Sequence, residues 1–393
     1  MNIIYSNWIE NIYDYRFLKA LNKNYNICVT FFGNRINKNF LPKGVKIINP
    51  NDAPLLPIPL KIKLAQTEGN ISDGISLILR ALIFRRIIRK MKPDLLIGNY
   101  LTGVNPYGFC CAFSDYHPFL VIVWGSDILI ESKESKIFYE IAKYTLKKAD
   151  GVIVDSDVQK KEIIRMGYDS KKIWKFPWGI DLDMFNPKIN SSRVKKELHW
   201  ENNRIIISTR KLNPIYGVEN LIMAIPTIIK KNPDARFLII GDGVLINKLK
   251  GIVSSLHIEK YMCFKGKLPY EEIPIYLNAA DIYVSTSYSD GTSASLLEAI
   301  ACGLPVVVTN IPANNEWIIN GENGYLVPIK NPSALAKYIN LLLEDDGIRS
   351  SMSIKNLEIS RARADWKKNA NIFYDAIETL TKNTNKRREI YTI

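Results

Sequence analysis

Short apolar runs alternate with longer amphipathic stretches along most of the chain. Short apolar runs bounded by turn residues predict buried strands, and apolar residues spaced three and four apart predict helices. In the first half, the predicted strands are Ile3–Ser6, Ile27–Phe32, Val45–Ile48, Leu95–Gly98, Leu120–Trp124, Val152–Asp155 and Ile173–Phe176. The predicted helices there are Asn11–Leu21, Ser76–Met91 and Lys136–Lys148. The Pro-rich stretch Asn51–Leu60 predicts an extended loop.

A second series of the same kind begins near Arg204. Its predicted strands are Ile205–Ser208, Phe237–Ile240, Met262–Phe264, Ile282–Ser285 and Val306–Thr309. Its predicted helices are Val218–Lys231, Ile246–Leu256, Ser293–Cys302 and Ala334–Leu343. The polar, turn-rich segment Asp181–Glu201 predicts a linker between the two series, and a last long helix is expected at about Arg361–Thr381.

Repeated alternation of strand and helix is typical of a parallel sheet covered by helices on both faces. We therefore expect an α/β protein with two Rossmann-like, doubly wound domains that face a central cleft. The predicted domains are residues 1–183 and 184–360, and residues 361–393 are expected to form a helix that packs back on the first domain. Doubly wound sheets bind ligands at the carboxyl ends of their strands.

Composition narrows the class of protein only slightly. The 393 residues suffice for two or three domains, and the formal net charge is +14. A basic protein often meets nucleic acid, anionic membranes or phosphorylated substrates. The general abundance of Lys, Asn and Ile along the chain explains the excess positive charge about as well. Clusters of charge are therefore more informative than the total.

Cysteine usage and hydropathy indicate the compartment. The five cysteines (Cys28, Cys110, Cys111, Cys263 and Cys302) are odd in number and form no Cys-x-x-Cys pair, which argues against a disulfide framework or a structural zinc site. The N-terminus lacks the features of a signal peptide, and no apolar run approaches the ~20 residues of a spanning helix. We therefore expect a cytoplasmic protein, and any membrane contact is expected to be peripheral and on the inner membrane face.

The strongest chemical signal runs from Ser289 to Val307, which predicts a loop, a helix, a Gly-Leu-Pro turn and a buried strand. Gly291 permits close backbone approach, and the N–H groups of the helix start form an anion site suited to a diphosphate. That helix start comprises Thr292, Ser293, Ala294 and Ser295. Asp290 precedes the helix and Glu298 lies two turns into it. For these two acids alone, an ordinary helix with a solvated Glu is the better explanation.

The same stretch resembles the signature of the retaining glycosyltransferase family 4, whose members have the GT-B fold. In that family two acidic residues separated by seven others are followed by Glu-Ala-Met-Ala-x-Gly-x-Pro-Val-Val, and this chain has Glu298-Ala-Ile-Ala-Cys-Gly-Leu-Pro-Val-Val307. The first acid is usually Glu but here is Asp290, whose side chain is one methylene shorter. The resemblance is good from about Leu120 to Pro328 and poor before Pro93.

Further pieces follow in the family's order. The segment Ile206–Leu212 resembles the strand end with a basic residue facing the donor diphosphate, a role open to both Arg210 and Lys211. The family's following Lys-Gly is Tyr216-Gly217 here. Gly241 lies in a matching Gly-Asp-Gly turn, and Lys267 and Leu268 lie where the family frames the nucleotide base. The segment Asn320–Val327 matches a downstream turn.

In the first domain, Val123–Asp127 resembles a family strand end. Trp124 replaces the family's His, so either a sugar-stacking ring or a buried structural ring explains it. Asp127 remains a candidate sugar or acceptor contact. The family's N-terminal glycine pair is absent, and Ser6–Tyr13, which replaces it, is expected to line the acceptor side.

The resemblance implies retaining, metal-independent transfer of a hexose-type sugar from a nucleotide-diphosphate donor to a glycan or lipid-linked acceptor, in cell-surface polysaccharide or glycoconjugate synthesis. It implies no cofactor beyond the donor substrate. The residues expected to act on the reacting groups are Asp290, Glu298, Arg210, Lys211 and Asp127. The residues expected to bind the donor are Gly241, Lys267, Leu268, Gly291, Thr292, Ser293, Ala294, Ser295 and Trp124. The implied domains are acceptor-binding (residues 1–183) and nucleotide-sugar-binding (residues 184–360).

Two other functions stay open on the sequence. One is a nucleotide-sugar 2-epimerase with the same fold, and the other is a non-catalytic nucleotide-sugar-binding subunit, since Asp290, Tyr216 and Trp124 all depart from the family pattern. Nucleic-acid binding is not expected, because no basic surface with interleaved aromatic residues is present.

A basic amphipathic helix is predicted within residues 75–91, with Arg80, Arg85, Arg86, Arg89 and Lys90 towards one end. Such a helix lies well on an anionic membrane surface. A core helix with a solvated basic face explains the same pattern and is slightly favoured.

Overall fold

The computed structural model describes residues 1–7, 12–30, 40–48, 74–102 and 106–390. The predicted loop Asn51–Leu60 and half of Ser6–Tyr13, residues 8–11, lie outside these residues. Contacts divide the chain into two compact units: unit 1 is Met1–Phe176 with Ala370–Ile393, and unit 2 is Pro177–Asn369. The domain boundaries predicted from the sequence were after residues 183 and 360.

Unit 1 contains a sheet of parallel strands in the order β3-β2-β1-β4-β5-β6-β7. Its strands are β1 Asn2–Ser6, β2 Asn26–Thr30, β3 Lys46–Ile48, β4 Leu95–Asn99, β5 Phe119–Ile122, β6 Gly151–Val154 and β7 Ile173–Lys175. Its helices are α1 Ile12–Asn22, α2 Gly74–Met91, α3 Tyr107–Ser114, α4 Lys136–Lys148 and α5 Asp157–Arg165. A short π-helical turn, Asp127–Glu131, follows β5.

Unit 2 contains a second parallel sheet in the order β10-β9-β8-β11-β12-β13. Its strands are β8 Arg204–Ser208, β9 Ala235–Ile240, β10 Met262–Gly266, β11 Ile282–Ser285, β12 Val306–Thr309 and β13 Gly324–Val327. Its helices are α6 Ser192–Leu198, α7 Glu219–Lys231, α8 Ile246–Ser255, α9 Ile273–Ala279, α10 Ala294–Ala301, α11 Pro312–Asn315, α12 Pro332–Glu344 and α13 Asp346–Arg363. The last helix, α14 Trp366–Ile390, begins in unit 2 and continues in unit 1.

The predicted pair of doubly wound sheets is confirmed. In both sheets the chain first runs outward on one side of the first strand and then crosses to its other side, between β1 and β4 in unit 1 and between β8 and β11 in unit 2. Such a switch point opens a crevice at the carboxyl ends of the two strands, where α/β proteins bind ligands.

One predicted element is wrong and one is incomplete. The segment Asn320–Val327 contains the expected turn, at residues 321–323, but continues into the short strand β13, whose Tyr325 and Leu326 are only half-buried and give a weak apolar pattern. The single helix Arg361–Thr381 is two helices, α13 and α14. The break comes where Ile180 N–H donates to the Ala364 carbonyl at 2.8 Å and Trp366 N–H donates to the Ile180 carbonyl at 3.1 Å.

The segment Asp181–Glu201, expected as a polar linker, belongs to unit 2 and contains helix α6. Its Phe185 and Val194 are fully buried in the core of that unit. Isolated apolar residues in a polar segment gave no periodic pattern, so the sequence did not predict this packing.

Aromatic rings join the last helix to the rest of unit 1. Phe373 on α14 lies 5.1 Å from Phe17 and 6.1 Å from Phe176, measured between ring centroids. All three side chains are fully buried. None of the helices in the described part of the chain is long and apolar enough to cross a membrane.

Candidate functional site

The switch point of unit 2 brings together residues that are far apart in sequence. Arg210 follows strand β8, and the loop that contains Asp290 follows strand β11, the next strand in the sheet. The Arg210 side chain donates from Nη2 to Asp290 Oδ2 at 2.6 Å and from Nη1 to Ser293 Oγ at 2.7 Å and Ser295 Oγ at 2.9 Å. We call these four residues the Arg210 cluster.

The Arg210 guanidinium is held in its charged form although its side chain is only 9% exposed. Burial works against that charge, but the neighbouring Asp290 carboxylate raises the pKa of Arg210 above its usual value. A buried ion pair needs further hydrogen bonds to offset its desolvation, and the two serines supply them. Among the described residues, Arg210 Nε has no hydrogen-bond partner, so the cluster retains one unused N–H donor.

The Arg210 cluster lies at the start of helix α10, whose N-cap residue is Ser293. The Ser293 side chain makes no capping hydrogen bond, since its Oγ accepts from Arg210 instead. The first turn of a helix has N–H groups without intrahelical partners and carries partial positive charge. A buried cation beside such a helix start forms a site for an anion.

The backbone conformation and the close packing at position 241 both require a glycine. It has a φ of +144°, and a Cβ on it would lie 2.3 Å from the Arg210 carbonyl oxygen. Its N–H donates to the Gly266 carbonyl at 2.9 Å. The predicted Gly-Asp-Gly turn therefore packs directly against the backbone of Arg210 and supports it.

Glu298, the second acid of the motif, is buried on α10 at 4% exposure and accepts a hydrogen bond from Tyr270 Oη at 2.8 Å. Tyr283 donates from Oη to Ser295 Oγ at 2.8 Å, which links the strand β11 to the Arg210 cluster. Both tyrosines were missed by sequence reasoning, because nothing local distinguishes them from ordinary core residues.

Other predicted residues lie near the cluster without joining it. Lys211 is exposed, so its neighbour Arg210 is the buried cation of the pair. Lys267 is exposed just after β10, and Leu268 packs against the core of unit 2. Thr292 and Gly291 are buried in the loop that leads to α10, and Ala294 is the first residue of that helix.

The corresponding strand ends of unit 1 hold a different set of groups. Asp127 is fully buried and accepts hydrogen bonds from four backbone N–H groups, those of Leu101, Trp124, Gly125 and Ile128, at 2.9–3.2 Å. Burial raises the pKa of Asp127 to about 6, although these four bonds oppose the rise. Asp127 therefore organises the backbone around itself.

Trp124 is half-buried and fixed on several sides. Its Nε1 donates to Asn99 Oδ1 at 2.8 Å, and its ring stacks on Tyr100 with the centroids 5.7 Å apart. Phe17 meets it edge-on at 6.1 Å. One face of the indole is thus taken by Tyr100.

Acidic groups surround this part of unit 1. Burial, together with the Asp127 charge, raises the pKa of Glu131 to about 7, and its Oε2 has no hydrogen-bond partner among the described residues. Burial and the charges of Asp14, Asp127 and Glu131 raise the pKa of Tyr100. Tyr100 also has a φ of +63°, a conformation that its sequence does not predict.

The fold and the Arg210 cluster define a class: an α/β protein with two doubly wound sheets and an anion site at the switch point of the second. The profile of the glycosyl transferases group 1 matches residues 190–359, and that of the glycosyl transferase 4-like proteins matches residues 31–156. The chain belongs to this family of GT-B glycosyltransferases.

Several curated proteins resemble the chain. An Escherichia coli UDP-Gal:alpha-D-GlcNAc-diphosphoundecaprenol alpha-1,3-galactosyltransferase is 30% identical over 56% of this chain and 58% of its own length. A GDP-mannose-dependent phosphatidylinositol monomannoside mannosyltransferase of Mycolicibacterium smegmatis is 26% identical over 45% of this chain and 49% of its own length. The chain thus spans only about half to three fifths of these two relatives.

Two solved structures share the fold over nearly the whole chain. Anabaena HepE in complex with UDP aligns with a TM-score of 0.77 at 19% identity, covering 97% of this chain and 100% of that one. A sucrose-phosphate synthase from Thermosynechococcus elongatus aligns with a TM-score of 0.78 at 19% identity, covering 98% and 100%. At this identity the likeness establishes the GT-B fold.

Proposed function

We propose that this protein transfers a hexose-type sugar from a nucleotide-diphosphate sugar to a glycan or lipid-linked acceptor, with retention of configuration, in the synthesis of a cell-surface glycan. The observation that carries the proposal is the Arg210 cluster at the start of α10, since a buried, oriented cation beside a helix N-terminus suits a diphosphate. The two relatives above are named for transfer from UDP-galactose and from GDP-mannose.

Arg210, rather than Lys211, is the cation that we assign to the diphosphate. Breaking the bond between the anomeric carbon and the phosphate oxygen leaves negative charge on the nucleoside diphosphate. Arg210 is buried beside the helix start and has an unused Nε donor, whereas Lys211 is exposed to solvent. A charge in a buried site stabilises the leaving group more than one in water. The same electrostatic role makes the proposed reaction independent of a metal ion.

Asp290 has two assigned tasks. In the absence of donor it holds the guanidinium of Arg210 at 2.6 Å, and with donor bound it contacts the transferred sugar. The departing diphosphate then takes the proton of the incoming hydroxyl on the same face, which preserves the configuration. Glu298 is assigned to ribose hydroxyls, which a carboxylate accepts well. Trp124 is assigned to the sugar or acceptor. Asp127, expected to share this role, is fully buried and bonded to four backbone N–H groups, so we assign it to holding that backbone in place.

The test has two stages. Thermal stabilisation by a panel of nucleoside diphosphates and nucleotide sugars, with and without EDTA, identifies the base, because a bound ligand raises apparent stability by mass action. The selected donor is then incubated with candidate acceptors, and NMR coupling constants give the anomeric configuration of the product. We expect a metal-independent shift and a retained configuration.

The rival functions predict different results. An epimerase releases an epimer or a glycal without any acceptor. A non-catalytic subunit is stabilised by the nucleotide but turns over no nucleotide sugar. Absence of any shift in folded protein rules out the donor site itself, and inverted configuration rules out the retaining mechanism.

We further propose that unit 1 contacts an anionic membrane surface. On α2, Ile78 and Leu82 are 51% and 47% exposed, and Arg86, Arg89 and Lys90 are exposed on the same helix. A groove of about 460 Å³ lies nearby on unit 1, lined by Phe109, Lys136, Ile137, Glu140, Ile141 and Tyr144, with Ile137 70% exposed. Exposed apolar groups beside basic ones suit a lipid interface.

Co-sedimentation with vesicles tests this contact. We expect binding to vesicles with anionic phosphatidylglycerol and little binding to pure phosphatidylcholine. The triple variant Arg86→Gln, Arg89→Gln, Lys90→Gln should release the protein, whereas the matched variant of unit 2, Lys230→Gln, Lys248→Gln, Lys250→Gln, should not. Equal loss in both triples, or binding unaffected by salt, would contradict the proposed surface.

A further inference from the structure

A short turn beside the Arg210 cluster is tied to the loop that contains Asp290. This 3₁₀ turn, Pro214–Tyr216, lies between β8 and α7. Thr286 donates from Oγ1 to the carbonyl oxygens of Tyr216 at 3.1 Å and Gly217 at 2.9 Å, and Tyr288 N–H donates to the Ile215 carbonyl at 2.8 Å. The turn and the loop are therefore fixed to each other through the backbone carbonyls of the turn and of Gly217.

Gly217 makes this contact close. Its φ is +55°, and a Cβ on it would lie 2.6 Å from the Thr286 carbonyl oxygen and 2.8 Å from the Tyr288 ring. Asn220 reinforces the junction by donating from Nδ2 to the Gly217 carbonyl at 2.9 Å and to Tyr288 Oη at 2.7 Å. The backbone of Tyr216 consequently has little room to move relative to the Asp290 loop.

The ring of Tyr216 meets the guanidinium of Arg210. The guanidinium carbon lies 4.3 Å from the ring centroid, well within the range of a cation–π contact. Tyr216 is half-buried, and burial raises the pKa of its hydroxyl, so the ring stays neutral. The ring therefore contacts Arg210 without adding a charge that competes with Asp290 or with an incoming anion.

Holding an arginine in place has a direct energetic value. An exposed arginine loses rotamer freedom when it binds an anion, and a side chain already fixed in place loses less. A cation that is preorganised also needs no reorganisation when charge develops on the leaving group. Hydrogen bonds to Asp290, Ser293 and Ser295 fix the guanidinium through its two terminal nitrogens, and the Tyr216 ring supports it by stacking.

We propose that Tyr216 is a positioning residue for the reaction: its ring, anchored to the Asp290 loop, fixes the guanidinium of Arg210 for the departing diphosphate. This inference rests on the proposed function. It assigns Tyr216 a role through Arg210 and not a contact with the substrate.

The experiment compares Tyr216→Phe, which keeps the ring, with Tyr216→Leu, which removes it. The matched control is Tyr261→Leu, because Tyr261 stacks on Arg236 at 5.3 Å elsewhere in unit 2. Each variant is assayed for kcat, KM, nucleoside diphosphate Kd and thermal midpoint. Tyr216→Phe should retain most activity. Tyr216→Leu should lower kcat and kcat/KM together by roughly 3- to 30-fold, with KM little changed.

Two results would overturn the inference. One is equal activity of Tyr216→Leu and Tyr216→Phe. The other is a loss of kcat in Tyr261→Leu as large as in Tyr216→Leu at a similar thermal midpoint, which would show that any lost stacked ring has this effect. Failure of the proposed function is distinguishable, since the wild-type protein would then neither bind a nucleoside diphosphate nor turn over a nucleotide sugar.

Discussion

The two units have the same sheet order at their switch points, but a carboxylate at the strand ends is satisfied in a different way in each. In unit 2, Asp290 is paired with the Arg210 guanidinium at 2.6 Å. In unit 1, Asp127 is satisfied by four backbone N–H groups, and the described residues include no Lys or Arg that forms an ion pair with it. The pKa of Asp127 is raised to about 6 as a result of burial.

This difference teaches which ligand each strand-end region suits. A region with an oriented cation and a helix start attracts a diphosphate. The acidic groups Asp14, Asp127 and Glu131 make the strand ends of unit 1 less suited to a diphosphate. The same sheet order thus carries two different electrostatic environments.

The largest expected effect comes from removing the cation of unit 2. Arg210→Gln should lower kcat/KM by roughly 10²–10³-fold, because loss of one donor to a developing charge has about this effect in other enzymes. It should also weaken binding of the nucleoside diphosphate. Steady-state kinetics and calorimetry measure both quantities, and circular dichroism verifies that the variant is folded.

Lys211→Gln is the control for this substitution, since it removes a neighbouring but exposed positive charge. We expect a change of no more than about threefold, as for other exposed charges near a site. An equal loss in the two variants would mean that the diphosphate is held by both cations, and that burial does not distinguish them.

A smaller effect is expected from the glycine that supports Arg210. Gly241→Ala should lower the thermal midpoint of unit 2 by roughly 5–10 °C, since its Cβ would overlap the Arg210 carbonyl. Gly167→Ala in unit 1 is the control: its φ is also positive, at +90°, but nothing lies within 4 Å of its Cβ. The thermal midpoints are measured by scanning calorimetry. If both variants lose the same amount, backbone strain alone explains the effect and the overlap with Arg210 does not contribute.

The smallest expected effect is a pH dependence in unit 1. The pKa of Glu131 is raised from 4.5 to about 7 in the folded protein, so the folded state holds more protons than the unfolded state between these values. The free energy of unfolding therefore falls as the pH rises through this window. Glu131→Gln should flatten that fall and raise the thermal midpoint at pH 8 by roughly 2–4 °C.

The control for Glu131→Gln is Glu140→Gln, an exposed position on helix α4. Thermal midpoints of both variants are measured from pH 5 to pH 8. Parallel curves for the wild type and Glu131→Gln would contradict a raised pKa at this position.

Much of the fold follows from local pattern alone. Strands β11 and β12 were predicted with their bounds, because both are buried throughout and rich in β-branched residues. Strand β13 was missed because it is half-buried, and the break between α13 and α14 was missed because it depends on Ile180, far along the chain. Local pattern does not encode such long-range pairing.

In the candidate site, too, local motifs were predicted and long-range contacts were not. Asp290, Ser293 and Ser295 belong to one continuous motif, so the sequence predicted them together. The family resemblance placed Arg210 at the same donor site, but its pairing with Asp290, 80 positions away, was not predicted. The ring contact of Tyr216 was not predicted at all, since the substitution looked only like the loss of a basic residue.

The last helix has a consequence for the order in which the protein is made. Phe373 completes the aromatic core of unit 1 between Phe17 and Phe176, yet it is synthesised after the whole of unit 2. During synthesis, unit 1 therefore lacks the part of its core that comes from the last helix until the chain is nearly finished. Unit 2 is one continuous segment, so all of its residues are available as soon as it has been synthesised. Unit 1 therefore begins to appear first and is completed last.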